Sequence, residues 1–327
     1  MKIAVYVKRS SYINDATSFY VSLIASSTDS QYVGVITNLS DLSGVDIVVT
    51  VYSIDAIYVK IKFPRKKVYN WYQGISPEES KMFGLSRFIY IRRTISEYLS
   101  LKIVDGAFFV SQAMKEHYKK KYGSRAPSLV MPCFNKVIGK KSDFINNFKK
   151  KEKNKFVYAG GLQSWQCIEE TLKLHRGIQD LIENTSLTFL CSDSEKANEL
   201  AKKYMIKNFE TKYVSLEDLD EELQKYNFGY LIRREHIVNK VSTPTKLSSY
   251  LANGVKVIST DAIEAFNIID SINIYRFSSN DISANKEIVN FINQDISPES
   301  LYSDLSSIFE KHFCISEYQD KIRDFVK

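Results

Sequence analysis

The chain has 327 residues, 44% hydrophobic and 25% charged, with a formal charge of +7. That length predicts two domains rather than one core, at roughly 100–200 residues per domain. Abundant Tyr (21) and Phe (19) beside few Gly (12) and Pro (6) exclude a disordered or fibrous chain, and the basic balance suits an anionic partner: a nucleotide diphosphate, a lipid phosphate, an acidic membrane surface or nucleic acid.

The opening MKIAVYVK reads as a strand, interrupted too soon by KRSS to be a signal peptide. No apolar run approaches the roughly 18–20 residues of a membrane span. A cytosolic protein is expected, at most peripheral at the inner face of the cell membrane. Short runs rich in Val, Ile, Phe and Tyr alternate with amphipathic stretches, which predicts βα units and parallel sheets. In the first half the strands are Ile3–Val7, Tyr32–Ile36, Asp46–Val51, Lys67–Asn70, Gly106–Val110 and Ser128–Met131. The clearest helices are Ser86–Lys102, with Phe88, Ile91, Ile95, Tyr98 and Leu99 as its apolar face, and Ser111–Tyr122, with Ser111 as N-cap.

After Pro132 the alternation dissolves. Gly139–Lys155 is lysine-rich and polar, and reads as a solvated connection, with a polybasic membrane or nucleic-acid patch as the sharper alternative. A second series follows, with strands Lys155–Ala159, Leu187–Cys191, Glu210–Tyr213, Phe228–Ile232, Val255–Ser259 and Asn273–Tyr275. Its helices are Gln166–Gln179, Ser194–Tyr204, Leu216–Tyr226 and Pro244–Ala252. The expected organisation is an N-terminal Rossmann-like domain (1–138), a linker (139–154) and a C-terminal Rossmann-like domain (155–327) facing the first across a cleft. The last helix is free to pack back on the N-terminal domain. Ligands of such sheets sit beyond the carboxyl ends of the strands. Cys133, Cys167, Cys191 and Cys314 show no CxxC spacing and read as reduced buried thiols. The four histidines are scattered, so no dedicated metal site is expected.

The chemistry concentrates in Arg233–Ser259. Thr243 suits an N-cap and Pro244 the first helical position, which places Lys246 at the third, where the helix dipole disfavours a cation. A cation there makes sense if an anion docks on the same end. Backbone N–H groups, Ser242, Thr243, Thr245 and Lys246 would then converge on phosphate, with Arg233 and Arg234 reaching in from the strand Phe228–Ile232. A plainer reading has Lys246 in solvent and the arginines paired with Glu235 or Glu217. Gly160–Gly161, closing the strand Lys155–Ala159, let backbone approach a ligand, or simply serve a turn that needs positive φ. Trp165 is expected to pack beside Cys167 and Ile168, and His236 to sit exposed near the site. In the first half, Gln73–Gly74 and Glu78–Glu79 bring polar groups to a loop, although Pro77 with two glutamates is equally a helix start.

In order along the chain, NWYQGISPEES, VSQAMKEHYKKKYG with MPCFN, VYAGGLQSWQCIEETLKL and IRREHIVNKVSTPTKLSSYLANGVKVIS resemble bacterial GT4-like glycosyltransferases (GT-B fold) of surface and capsular polysaccharide synthesis. The resemblance implies an α/β GT-B architecture of two Rossmann-like domains facing a cleft. It also implies transfer of a sugar, with retention, from a nucleotide-diphosphate donor to a saccharide or lipid-linked saccharide acceptor. By position, Arg234 and Lys246 hold the donor diphosphate, Gly160 and Gly161 line its cradle, with Arg233, Thr243, Thr245 and Ser249 beside it, and Gln73, Gly74 and Glu78 face the acceptor. Charge neutralisation by cations, with no metal cofactor, is part of the pattern. Two departures stand out. Ser249 replaces the carboxylate that commonly binds the donor ribose, and the loop KRSSYINDATS lacks the glycines common in relatives. Ser249 gives weight to a catalytically silent GT-B protein that binds nucleotide, sugar or a partner transferase. A GT-B epimerase would need cleft carboxylates and histidines that the sequence does not offer, and no nucleic-acid-binding signature is present. Lys115–Arg125 reads as a solvated helix end, or as a contact to anionic lipid.

Overall fold

The computed structural model describes residues 1–8 and 15–326 and divides into two compact units. Unit one comprises Met1–Asn135, Val241–Thr243 and Cys314–Lys327; unit two comprises Lys136–Lys240 and Pro244–Phe313. Residues 9–14 of the glycine-free loop lie outside the described residues.

Unit one runs β1 (Lys2–Tyr6), α1 (Asp15–Ser26), β2 (Gln31–Ile36), β3 (Ile47–Thr50), α2 (Ser53–Lys62), β4 (Lys67–Tyr72), α3 (Ser76–Met82), α4 (Arg87–Ile103), β5 (Gly106–Phe109), α5 (Gln112–Tyr122) and β6 (Ser128–Val130). All pairings are parallel, in the order β2-β1-β3-β4-β5-β6. A parallel sheet is covered on both faces, so its strands are near-continuous apolar runs: β3 and β5 are buried at every position. Ser111 caps α5, its hydroxyl accepting from Met114 N, and Gly123 closes the helix at φ 60°.

Unit two runs α6 (Lys141–Lys149), β7 (Lys155–Ala159), α7 (Ile168–Leu181), β8 (Ser186–Leu190), α8 (Ser194–Lys203), β9 (Phe209–Lys212), α9 (Leu219–Leu223), β10 (Phe228–Leu231), α10 (Ile237–Lys240), α11 (Lys246–Ala252), β11 (Lys256–Thr260), β12 (Ile274–Phe277), α12 (Lys286–Asn293) and α13 (Pro298–His312). Its parallel sheet has the order β12-β11-β10-β7-β8-β9. The chain winds outward one way from β7, then returns and winds the other way from β10. The reversal between β7 and β10 opens the crevice where doubly wound sheets bind ligands. The final helix, α14 (Ile315–Phe325), belongs to unit one, where Phe325 meets Phe108 and Tyr69 edge-on at 5.2 and 5.6 Å between ring centroids.

Three expectations are modified. The stripe Phe88, Ile91, Ile95, Tyr98 and Leu99 on α4 is exposed, and the residues α4 buries are Glu97, Ser100 and Leu101. The reason is packing: α4 lies on α2 and α3, and the polar side of the helix is what meets them. The lysine-rich stretch is not wholly a solvated connection, because α6 forms within it and buries Phe144 against Tyr302. The helix expected from Leu216 to Tyr226 shortens to α9. Among the described residues no helix is long and apolar enough to cross a membrane.

Lys151, just past α6, is drawn inward. Its ammonium donates to the carbonyls of Tyr226, Asn253 and Gly254 at 2.8, 3.0 and 2.8 Å, closing the C-terminal end of α11. Lys151→Ala leaves these carbonyls short of a donor, and equilibrium urea unfolding should show a loss of about 3 kcal/mol. Lys149→Ala, on the exposed side of α6, should stay within about 0.5 kcal/mol of the parent.

Candidate functional site

The site in unit two begins where β7 ends. Gly160 takes φ 134°, a conformation side-chain-bearing residues rarely adopt, and a Cβ there would lie 2.7 Å from Lys246 Cε. The backbone conformation is what requires a glycine, and its bare Cα leaves room for the end of the lysine side chain. Lys246 is set in place by α11, which Tyr250 anchors to the sheet. The Tyr250 hydroxyl accepts from Ala159 N at 2.9 Å, and its ring lies so close over Gly229 that a Cβ there would meet it at 2.7 Å. Ala159, Gly160, Gly161, Thr245, Lys246 and Ser249 line one part of a cavity of about 380 Å³, within the range of small-molecule sites. Leu190, Tyr213, Val214, Leu216 and Leu219 make its apolar remainder, and none of its lining residues is a carboxylate.

Lys246, from the cavity lining, and Arg233, buried behind that lining, converge on one neutral atom. Arg233, 2% exposed, donates to Gln166 Oε1 at 2.7 Å and to the Gln166 carbonyl at 3.3 Å. The Lys246 ammonium donates to the same Oε1 at 2.6 Å and to the Tyr158 hydroxyl at 3.0 Å. Neither has an ion-pair partner among the described residues. Burial, and then the nearby Arg233 charge, push the Lys246 pKa well below its ordinary value; burial also lowers that of Arg233. Cations gathered out of water on a neutral acceptor lack the counter-charge that ordinarily accompanies burial, so the arrangement is suited to an anion.

Arg234 turns the other way. Its guanidinium is 66% exposed and pairs with Glu170, while its backbone N–H meets Cys167 Sγ at 3.2 Å. Backbone bonds decide between the neighbours: Arg233 N and O are both tied to the Thr260 hydroxyl, at 3.0 and 2.7 Å, which turns the Arg233 side chain inward. Thr243 is not an N-cap. It packs in unit one, donating to Val110 O and accepting from Cys133 N, so α11 starts later, at Lys246, preceded by Thr245. Ser249 is 7% exposed, and its hydroxyl donates to Thr245 O at 3.2 Å. Trp165 is half-exposed instead of packed in the core, and His236 is half-buried, accepting from Val238 N. The partners that sequence reasoning passed over are Gln166 and Tyr158. Gln166 lies in the segment VYAGGLQSWQCIEETLKL, but a neutral residue carries no charge signal. All four cysteines are free thiols; Cys167 and Cys191 are buried. No group of three or more His, Cys, Asp or Glu among the described residues is arranged to hold a metal ion.

In unit one the loop after β4 is tied to a buried polar cluster. Gln73 accepts from Thr17 at 3.2 Å, and Gly74 O accepts from the Tyr118 hydroxyl at 3.0 Å. Ser76 N donates to Glu97 Oε1, which also receives Tyr118, while Tyr122 donates to Oε2. Burial, outweighing these hydrogen bonds, pushes Glu97 up to about 7. Glu78 behaves oppositely: burial raises it, but His117 and Lys121 outweigh that and hold it down to about 2.

No protein-family model and no curated protein sequence matches this chain. Solved structures do. Anabaena HepE, in complex with UDP-glucose, superposes with a TM-score of 0.74 at 12% identity, over 98% of each chain. The sucrose-phosphate synthase of Thermosynechococcus elongatus gives 0.71 at 11% identity, over 98% of this chain and 97% of its own. S. aureus TarM, in a complex that includes UDP, gives 0.64 at 11% identity, and this chain spans only 58% of TarM's length. These neighbours are GT-B glycosyltransferases.

The fold is GT-B.

The GT-B sheet of unit two supports two checks independent of any ligand. Gly160→Ala forces an L-residue into positive φ against Lys246 and should lower stability by about 1–3 kcal/mol in denaturant titration. Gly139→Ala, where a Cβ meets open space, should be neutral. For Glu97 the sign is set by a folded pKa of about 7 against 4.5 for the free group. The folded state holds the proton longer, so stability should fall as pH rises from about 4.5 to about 7, by on the order of 3 kcal/mol. Glu97→Gln should flatten that slope in pH-resolved thermal melts.

Proposed function

We propose that the chain transfers a sugar from a nucleotide-diphosphate donor to a saccharide acceptor, with the donor in the cavity of unit two. The observation that carries this is the convergence of Arg233 and Lys246 on Gln166 Oε1 without a carboxylate. A diphosphate supplies the missing negative charge. As the glycosidic bond to the donor breaks, charge builds on the departing diphosphate, and cations already in place stabilise it without reorganising. These two side chains provide the neutralisation that the reading requires, so a metal is not part of it. The apolar side of the cavity, from Leu190 to Leu219, suits a nucleoside, and Ser249 a ribose hydroxyl. The neighbours solved with UDP or UDP-glucose support a nucleotide donor. The ordered sequence resemblance supports a retaining transfer in the synthesis of a bacterial surface polysaccharide, with a lipid-linked saccharide as acceptor.

A second reading is a nucleotide-binding GT-B protein without transferase activity. It is favoured by Ser249, which brings a hydroxyl where a carboxylate would bind ribose more strongly, and by a cavity lined by no carboxylate.

The deciding experiment is calorimetric titration with UDP, GDP, TDP, ADP and CMP, followed by sugar-transfer assays with the matching nucleotide sugar. One diphosphate should bind selectively. Lys246→Ala and Arg233→Lys should each weaken it roughly tenfold or more, the loss of a charge-assisted contact. Arg234→Ala should change it less than about threefold, as expected of an exposed ion pair. Binding without transfer would select the second reading. No binding, or equal binding by Lys246→Ala, would remove the site.

A further inference from the structure

Unit two holds a second cavity of about 190 Å³, against about 380 Å³ for the first. Helices α9 and α11 line both, yet no residue is common to the two linings. Leu219 and Ser249 belong to the first, Asp220 and Asn253 to the second. A molecule in the second cavity therefore touches none of the groups assigned to the donor.

One part of its lining is a run of hydrogen-bonded side chains. The Lys136 ammonium pairs with Asp220 at 2.5 Å, and Asn253 Nδ2 donates to Asp220 at 2.9 Å. Gln224 Nε2 donates to Asn253 Oδ1 at 3.3 Å, and Asn147 Nδ2 to Gln224 Oε1 at 2.9 Å. The run is left open. A primary amide carries two N–H groups and an oxygen with two lone pairs. Asn147 Oδ1 has no donor among the described residues, and Asn147 and Gln224 each keep a second N–H. The Asp220 side chain, 41% exposed, keeps lone pairs as well. Another part of the lining is aromatic. Phe144 and Phe148 stand one turn apart on α6 with ring planes 4° from parallel, and Tyr302 meets Phe144 edge-on at 5.3 Å.

These features select a class of ligand. The one cation and the one carboxylate of the lining neutralise each other, so the cavity favours neither an anion nor a cation. An apolar ligand would strip water from the open N–H groups and lone pairs and put nothing in its place. A polyhydroxy ring satisfies both parts: each hydroxyl donates and accepts, and the C–H face of the ring lies against the negative face of an aromatic side chain. The volume admits one sugar ring and excludes a nucleotide.

We infer that this second cavity holds one ring of an uncharged saccharide, as an anchoring site apart from the reacting one. The site is independent of the sugar-transfer reading, because its occupancy is measured with neither nucleotide nor transfer.

The test is saturation-transfer NMR on the full chain with the methyl glycosides of glucose, galactose and N-acetylglucosamine, and with methyl glucuronide as a charged counterpart. At least one neutral glycoside should bind, and more tightly than the glucuronide. Phe148→Ala, which removes an aromatic face, should weaken it roughly fivefold or more. Gln224→Leu, which removes hydrogen-bonding groups, should weaken it by roughly fivefold. Gly139 lines the cavity where a Cβ meets open space, so Gly139→Trp fills the cavity without straining the backbone and should abolish binding. Lys246→Ala, in the first cavity, should leave binding within about twofold of the parent. Circular dichroism should show every variant folded. Absence of binding by all three neutral glycosides, or equal binding by Gly139→Trp, would overturn the inference. So would a glucuronide that binds as tightly as its neutral counterpart, or loss of binding in Lys246→Ala, which would put the sugar in the donor cavity.

Discussion

A buried guanidinium and a buried lysine amine sharing one amide oxygen constrain the rest of unit two. Arg233 and burial both disfavour a proton on Lys246, and Gln166 cannot neutralise either group. They stay together because the scaffold around them is stiff. Tyr250 ties α11 to β7 and lies against Gly229 of β10, while the Thr260 hydroxyl grips both backbone groups of Arg233. The strand reversal between β7 and β10 supplies the place where these parts meet. Preorganisation of this kind leaves the work of desolvation to the folded protein rather than to the binding event.

Unit one solves a different problem, and partly by inversion. Helix α4 sends Glu97 inward to a cluster of tyrosine hydroxyls and sends isoleucines outward. A buried carboxyl with a pKa near 7 is affordable because three donors surround it, and through Ser76 N and Tyr118 it fixes the loop that follows β4. The same helix thereby positions the loop from one side and presents an apolar stripe on the other.

How far the sequence shows this depends on the residue. The strand patterns fall within a residue or two of β1 to β12: central strands such as β3, β5 and β10 are continuous apolar runs, while the half-exposed edge strands β2 and β9 show only through their aromatic and β-branched residues. Gly160 and Lys246 are legible too: a glycine pair closing a strand and a cation near a helix start are local signals. The choice between Arg233 and Arg234 is not, since it rests on a hydroxyl from β11, remote in sequence. Thr243 misleads for the same reason: a good cap locally, it is claimed by Val110 O and Cys133 N. Periodicity located the α4 stripe correctly but could not say which way it points. Spacing reports that a face is apolar, and only the neighbours decide whether it is covered.

The scattered membership of unit one has a consequence for synthesis. Its sheet is synthesised before unit two, yet Phe325, which fits against Phe108 and Tyr69, and Tyr318, which meets Phe134, arrive only after all of unit two has been translated. Domains usually fold in the order they emerge. Here the earlier unit must wait with an aromatic socket open while the later one closes, so the nascent chain depends on whatever shields that socket in the interval.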